Sequence, residues 1–180
     1  MKRILIILTC CLVSATLPAA AYEVGDLVEN ITLPDLSGAE ANLSDYAGKI
    51  IVLNFFASWC PSCNEEAEHL QHDIWEVYED DGVVVIAIDV MEQVSLVQGW
   101  AAAVGATYPI WMAPDWSLIL QFPQALGLPY NAILDRSFEI RYGSMGFDQT
   151  AITNMIQILI DEGPTPVYPS TLDGVKGLYR

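Results

Sequence analysis

The sequence predicts an α/β fold in which helices flank a mixed central β-sheet. Two continuous apolar runs, IIVLNFFA (50–57) and GVVVIAIDV (82–90), have the composition of strands buried on both faces. An amphipathic helical pattern over 61–79 lies between them, which is the strand–helix–strand order of a layered sheet. Two later strands joined by a tight turn add an antiparallel hairpin, so we expect the sheet to be mixed.

The helix predicted over 61–79 has one apolar stripe. Its members recur at spacings of four, three, four and three, so they share one face that should pack on the sheet. His69 and His72 lie well away from that face and are predicted to face solvent. The stripe consists of Cys63, Ala67, Leu70, Ile74 and Val77.

Shorter elements are predicted on either side of these strands. The lead-in over 23–49 mixes short apolar pairs with glycine and proline, which favours a hairpin over long elements. A helix is expected over 95–106, ended by Gly105, and a short strand over 108–112.

The last third of the chain predicts two helices and a strand hairpin. We expect a helix over 115–126 that Pro123 kinks or ends, then strands at 130–135 and 138–143 with a tight turn near 136 and 137. A closing helix over 148–161 should begin at an Asp148 cap. Its inward residues are predicted to be Ile152, Ile156, Leu159 and Ile160.

The first 21 residues have the pattern of a signal peptide. Lys2 and Arg3 precede an apolar run of about 14 residues, shorter than the roughly 20 that span a bilayer, and Ala19 and Ala21 form an A-x-A cleavage site. Cleavage after Ala21 would leave one domain over 22–162 and a proline-containing tail over 163–180. Without cleavage the same segment would anchor the chain in the membrane. Either way we expect an exported protein.

The charge of the chain argues against two classes of partner. The formal net charge is −16, and removal of Lys2 and Arg3 with the signal peptide would make it −18. Such an acidic surface repels nucleic acid and anionic lipid, so neither is an expected partner.

Cys60 and Cys63 are the only cysteines outside the predicted signal peptide. They could form a zinc site, a structural disulfide or a redox pair. A zinc site would need two further ligands, and only His69 and His72 are available, both on the wrong face of the helix. A structural disulfide across two residues closes too small a loop to stabilise the fold much. A redox pair explains the position, because Cys60 would lie at a helix N-terminus, which favours a thiolate, with Pro61 in the first turn.

The sequence resembles the TlpA/ResA group of exported thiol–disulfide oxidoreductases, which have a thioredoxin-like fold. VGDLVENITLPDLSGAEANLSDYAGKIIVLNFFASWCPSC (24–63) resembles the lead-in, buried strand and active-site turn of the group. YPIWMAPDWSLILQFPQALGLPYNAILDRSFEI (108–140) resembles its later part, including a central strand–helix insertion. The resemblance implies that Cys60 is the nucleophile and Cys63 the resolving residue of a redox disulfide, and that no cofactor or metal is needed.

The resemblance also implies a substrate-binding surface beside the cysteines. Pro129 is expected to be cis and to face the pair, with the backbone of Leu128 before it free to bind a client strand. Trp59 is expected to cover the pair. Four further aromatic residues could line a substrate groove or form ordinary core, namely Tyr108, Trp111, Trp116 and Phe122.

Glu66 is the candidate for proton exchange with the buried thiol. It matches an acid that ResA-like proteins place beside their cysteines, and its position near the edge of the apolar stripe would raise its pKa. The alternative is an exposed acid in the first helical turn. Asn54 stands where thioredoxins have a buried acid, and Glu68 stands where the group usually has proline, so the helix is expected to run straighter here.

The predicted function is that of an exported protein-disulfide oxidoreductase. Acidic neighbours disfavour the Cys60 thiolate, which indicates a reductase rather than a strong oxidant. The expected partners are exported clients that carry disulfides or thiols, for example in cytochrome c or oxidase maturation, and a membrane thiol reductase as electron donor. A thiol peroxidase and a copper-site chaperone are the alternatives, although Ala57 replaces the threonine of the former and the C-x-x-C spacing is one residue short for the latter.

Overall fold

The computed structural model describes residues 21–163. The predicted signal peptide and C-terminal tail therefore lie outside the described residues, apart from Ala21 and Gly163. Within the described part of the chain, no helix combines the length and apolar character needed to cross a membrane.

The centre of the fold is a five-stranded mixed sheet with the order β5-β4-β3-β6-β7. β3 is parallel to β4, and β4 to β5, whereas β6 runs antiparallel to both β3 and β7. β1 and β2 form a separate antiparallel hairpin, which is the predicted lead-in. The strands are β1 Thr32–Pro34, β2 Glu40–Asn42, β3 Ile50–Phe56, β4 Val83–Val90, β5 Ile110–Ala113, β6 Tyr130–Leu134 and β7 Ile140–Met145.

Three of the helices cover one face of this sheet. The helices are α1 Pro61–His69, α2 Glu76–Tyr78, α3 Val94–Val104 and α4 Gln149–Glu162. The buried residues of α1, α3 and α4 belong to one core cluster with alternate residues of β3, among them Ile50, Val52 and Phe56. The intervening β3 residues pack on the opposite face against the lead-in and the 119–125 segment rather than against a long helix. The predicted α/β fold with a mixed sheet is confirmed.

The helix that follows the cysteines differs from the predicted regular pattern. It is helical as far as Asp81, but Leu70–Trp75 forms a π-helical segment between α1 and α2. A π-turn closes on the fifth residue instead of the fourth, so the residues beyond it rotate relative to those before it. Val77, predicted to face the core, is therefore 55% exposed, and Tyr78 packs against the core in its place. The helix has no break at Glu68.

The prediction of a helix over 115–126 is wrong. Only a short 3₁₀ turn forms, at Ile119–Gln121, and Phe122 after it is extended. Pro123 accounts for the end of this turn at Gln121, because a proline disfavours helical backbone in the residue before it and cannot donate to the preceding turn. The apolar residues of the segment still reach the core, since Ile119, Phe122 and Ala125 are all buried.

The other predicted ends and turns are confirmed. Gly105 ends α3 with a φ of 70°, in the left-handed region that favours glycine. Asp148 caps α4 by accepting a hydrogen bond from the Ala151 N–H at 3.0 Å. The β6–β7 turn is closed by Asp135, whose Oδ1 accepts from the N–H groups of Ser137 and Glu139.

The lead-in segment pairs with both edges of the five-stranded sheet. Leu27 forms an antiparallel bridge with Glu139 beside β7, and Asp35 forms one with Trp111 of β5. Between these bridges Val28 and Ile31 are buried against the sheet. One segment therefore crosses the whole sheet on the face that lacks α1, α3 and α4.

Candidate active site

The cysteine pair lies where the central strand meets its helix. β3 ends at Phe56, and a turn closed by a 3.1 Å hydrogen bond from the Cys60 N–H to the Ala57 carbonyl leads into α1. Cys60 is the N-cap of α1, and Pro61 occupies the first helical position. Cys60 and Cys63 are joined by a disulfide. In this oxidised state both are buried, with exposures of 5% and 3%.

The helix terminus directs a hydrogen-bond donor at the first sulfur. The Cys63 N–H lies 3.2 Å from Cys60 Sγ and donates to it, and Ser62 Oγ lies 3.5 Å from the same sulfur. Unpaired N–H groups and the helix dipole both favour negative charge at this position. After reduction, the same geometry stabilises a Cys60 thiolate, the form that attacks disulfides.

Glu66 is buried one helical turn after Cys63, with an exposure of 2%. Its Oε1 accepts hydrogen bonds from Asn54 Nδ2 at 2.8 Å and Asn131 Nδ2 at 2.7 Å. Its Oε2 has no hydrogen-bond partner among the described residues. Burial raises the pKa of Glu66, and the hydrogen bond from Asn131 and the nearby His69 lower it. The effect of burial is the larger, so the pKa is about 7. The carboxyl group is therefore poised to take up or release a proton near neutral pH.

Asn131 is a site residue that the sequence reasoning missed. It faces Asn54 across the β3–β6 pairing, donates to Glu66, and also donates to the Gly146 carbonyl at 3.1 Å. The available signal was the asparagine inside the apolar strand YNAIL, since an uncharged amide buried in a strand needs hydrogen-bond partners. At the position on β3 where thioredoxins have a buried acid, this chain has Asn54. Asn54 and Asn131 together hold the carboxyl group of Glu66 from α1.

A groove runs past Glu66 along the ends of β6 and β7. The Leu128–Pro129 peptide bond at its base is cis. The groove has a volume of about 510 Å³. The ring of Phe147 stacks on His69 at a centroid distance of 5.4 Å. The lining residues are Ser62, Glu65, Glu66, His69, Leu128, Pro129, Met145, Gly146 and Phe147.

The aromatic residues divide into one exposed ring and a buried group. Trp59, directly before Cys60, is 65% exposed. Tyr108, Trp111 and Phe122 are all at least 97% buried, so they form part of the core. Tyr108 and Trp111 also line a cavity of about 500 Å³ beside β5, but Phe122 does not. Trp116 is partly buried and packs against the same core as Trp111 and Phe122.

The histidines have the exposure that the sequence predicts. The side chains of His69 and His72 are 50% and 57% exposed, and each contacts an acid four residues further along the helix. Over residues 21–163, no three His, Cys, Asp or Glu side chains are grouped in a way that could hold a metal ion.

Comparison with known proteins gives matches over most of the described chain. The model of the AhpC/TSA family matches residues 24–143. The thiol-disulfide oxidoreductase ResA of Geobacillus kaustophilus (strain HTA426) is 31% identical over 121 residues, which cover 67% of this chain and 68% of that protein.

Solved structures agree with the fold. The solution structure of a putative protein disulfide isomerase from Bacteroides thetaiotaomicron has a TM-score of 0.69 at 27% identity, and covers 78% of this chain and 92% of that one. A putative thiol:disulfide interchange protein DsbE from Chlorobium tepidum has a TM-score of 0.68 at 23% identity, and covers 78% of this chain and 99% of that one. With its disulfide-bonded C-x-x-C pair at the start of α1, the chain belongs to the AhpC/TSA family and is a thioredoxin-fold thiol–disulfide oxidoreductase.

Proposed function

We propose that this protein works outside the cytoplasm as a reductase of disulfides in exported client proteins. The observation that carries the role of Cys60 as the attacking thiol is the Cys63 N–H aimed at Cys60 Sγ at the N-terminus of α1. The direction of electron flow is argued separately from the acids of α1. The signal-peptide pattern of the first 21 residues supports export. By the resemblance to the TlpA/ResA group, the clients belong to cytochrome c or oxidase maturation, and a membrane thiol reductase supplies the electrons.

In the first step, the Cys60 thiolate attacks one sulfur of a client disulfide. A bond forms between Cys60 and that sulfur, the client disulfide breaks, and the departing client sulfur leaves as a thiolate that takes a proton. The groove beside the cis Leu128–Pro129 bond supports binding of an extended client segment next to the mixed disulfide.

In the second step, Cys63 displaces the client. Its thiol must lose a proton before it can attack Cys60 Sγ, and the buried Glu66 carboxylate is the proposed acceptor. A group with a pKa of about 7 is part ionised at neutral pH, so it can take this proton and later return it. The client leaves with two thiols, and the protein is left with a Cys60–Cys63 disulfide. Two electrons from the donor then reduce this disulfide and restore the active pair.

The direction of electron flow is supported by the charges near the pair. Glu65, Glu66 and Glu68 all lie on α1, and negative neighbours make the Cys60 thiolate less stable, which makes the disulfide harder to reduce. We expect the midpoint potential, measured against glutathione, to lie well below the roughly −120 mV of a strong periplasmic oxidant. A value near that figure would contradict the reductase assignment.

Trapping of client proteins tests the mechanism directly. In Cys63→Ala, the mixed disulfide cannot resolve, so Cys60-linked adducts should accumulate and be released by a reducing agent. The matched control is Cys60→Ala, which keeps one cysteine in the same turn and should trap almost nothing. Equal trapping by both variants would overturn the assigned order of attack.

A turnover assay separates the peroxidase alternative from the reductase. The threonine expected three residues before a peroxidatic cysteine is Ala57 for Cys60 and Cys60 itself for Cys63. We therefore expect reduction of protein disulfides without comparable reduction of hydrogen peroxide. Peroxide turnover that matches the disulfide rate would favour the alternative.

A further inference from the structure

Two acids from the end of β4 lie behind the active-site turn. Asp89 pairs in register with Phe56, the last residue of β3, and Glu92 follows in the next loop. Met91 between them has a φ of 73°, a left-handed conformation that is unfavourable for a residue with a side chain. This reversal directs Glu92 back towards the turn, and the Glu92 N–H donates to Asp89 Oδ1 at 3.0 Å.

The Glu92 carboxylate holds Ser58 with both of its oxygens. The Ser58 N–H donates to Oε2 at 2.6 Å, and Ser58 Oγ donates to Oε1 at 2.7 Å. Ser58 is in the turn between Ala57 and Cys60, two residues before the nucleophile. A backbone and a side-chain donor on one carboxylate fix both the position and the orientation of this residue.

Asp89 holds the backbone of Glu92 through the hydrogen bond that its Oδ1 accepts. It is fully buried, at 0% exposure, and its Oδ2 accepts no hydrogen bond from any described residue. Burial and the neighbouring Glu92 carboxylate raise the pKa of Asp89 to about 8. Burial acts to raise the pKa of Glu92 as well, but the neighbouring Asp89 and the hydrogen bonds from Ser58 lower it overall. Asp89 is therefore the protonated member of the pair, and Glu92 the ionised one.

We propose that Glu92 is a positioning residue for Cys60, held in place by the hydrogen bond from its own N–H to Asp89 Oδ1 and acting through Ser58. This inference rests on the proposed function, in which Cys60 attacks first. A fixed turn sets the direction in which Cys60 Sγ points, and with it the 3.2 Å hydrogen bond from the Cys63 N–H. A loosened turn weakens that contact, so the attacking thiolate is both less populated and less well aligned.

A purely electrostatic role makes the opposite prediction. The negative charge of Glu92 near Cys60 disfavours a thiolate, so removal of the charge alone would make Cys60 more reactive. If Glu92 positions the turn, loss of its hydrogen bonds with Ser58 should lower the reaction rate of Cys60, whether or not the negative charge is kept. Glu92→Ala and Glu92→Gln separate the two, because glutamine loses the charge and retains an oxygen for the Ser58 N–H.

The readout is the rate at which iodoacetamide alkylates Cys60 in the reduced, folded protein at a fixed pH, with the modified residue identified by mass spectrometry. Glu92→Ala should slow alkylation about tenfold, and Glu92→Gln should restore most of the wild-type rate. Glu79→Ala, which removes an exposed acid at the C-terminal end of the helical segment that follows the cysteines, is the matched control and should have no effect. An unchanged rate in Glu92→Ala, or an equal change in both Glu92 variants, overturns the proposal.

Three further variants keep the test decisive if Glu92→Ala does not fold. Ser58→Ala removes one of the two hydrogen bonds and should slow alkylation about threefold. Asp89→Asn keeps an oxygen that accepts from the Glu92 N–H and should be slowed less than Asp89→Ala. Equal rates in the two Asp89 variants together with a wild-type rate in Ser58→Ala overturn the proposal. Failure of the proposed function is distinct, since Cys60 would then be unreactive in the wild-type protein itself.

Discussion

The burial of Glu66 predicts an unusual dependence of stability on pH. The proposed change is Glu66→Gln, which keeps an oxygen to accept from Asn54 and Asn131 but cannot ionise. In the wild-type protein the pKa of Glu66 is raised from 4.5 to about 7 because burial penalises the charged form. Between these two values the folded chain keeps a proton that the unfolded chain has lost. Its contribution to stability is therefore present below pH 4.5 and is lost as the pH rises through 7.

The size of the effect follows from the two pKa values. One unit of pKa corresponds to about 1.36 kcal/mol, and between pH 5 and pH 8 the Glu66 shift should remove about 2.5 kcal/mol of the free energy of unfolding. Glu66→Gln lacks this contribution. The amide group that replaces Oε2 is unpaired at both pH values, so its cost cancels when the two pH values are compared.

The assay is urea unfolding of the oxidised protein at pH 5 and pH 8. The loss of unfolding free energy between the two pH values should be about 2.5 kcal/mol smaller in Glu66→Gln than in the wild type. Glu68→Gln, on the exposed face of the same helix, is the control and should follow the wild type. Other acids with raised pKa values, such as Asp89, contribute equally to wild type and variant and drop out of the comparison.

The result that would refute the reasoning is a wild type and a Glu66→Gln variant with parallel pH profiles. Glu66 would then have an ordinary pKa in the folded state, and it could not serve as the proton acceptor proposed for Cys63.

Three further predictions concern packing, hydrogen bonding and helix termination. Ile74→Ala should cost about 2–5 kcal/mol of unfolding free energy, whereas Val77→Ala should cost less than about 0.5 kcal/mol, since only Ile74 is in the core. If urea unfolding shows equal losses for the two variants, the rotation by the π-helical segment is contradicted. Asn131→Ala removes a donor to the carboxylate, so the pKa of Glu66 should rise above its wild-type value in a carboxyl-carbon NMR titration, and a fall would contradict the assigned network. Gly105→Ala should lower the melting temperature by an amount equivalent to about 1 kcal/mol because alanine disfavours the left-handed φ of 70°, and an unchanged value would refute this.

The elements governed by local patterns could be predicted from the sequence. β3 and β4 were evident from their β-branched apolar runs, and the Cys60 N-cap followed from a strand, a short turn and then Pro61 at the start of a helical pattern. The position of Glu66 near the apolar stripe made burial one of two alternatives, and the structure shows the buried one. These features depend on spacing along a few turns or one strand, which the sequence records directly.

The features that depend on distant parts of the chain could not be predicted. A π-turn leaves no reliable pattern of its own, so Val77 was placed on the wrong face. The partners of Glu66 come from β3 and β6, and Asn131 lies 65 residues away from it. The link from Ser58 to Glu92 spans 34 residues and depends on the left-handed Met91, although Asp89 inside an apolar strand was a visible signal of some buried polar contact.

The lead-in described above makes the sheet's two outermost strands dependent on a single stretch of chain. Strands are spaced by about 4.8 Å, so the four intervals from β7 to β5 span about 19 Å, and the eight Cα–Cα steps from Leu27 to Asp35 can extend to roughly 27 Å. The stretch is therefore long enough to cross the sheet in a single pass. Its detachment at one end would loosen its hold at the other, and backbone groups on both flanks of the sheet would become available for pairing with a second molecule. Resistance to aggregation in this fold therefore depends on residues far from the cysteines, and a version of the domain shortened past Asp35 would be expected to self-associate while still carrying an intact redox pair.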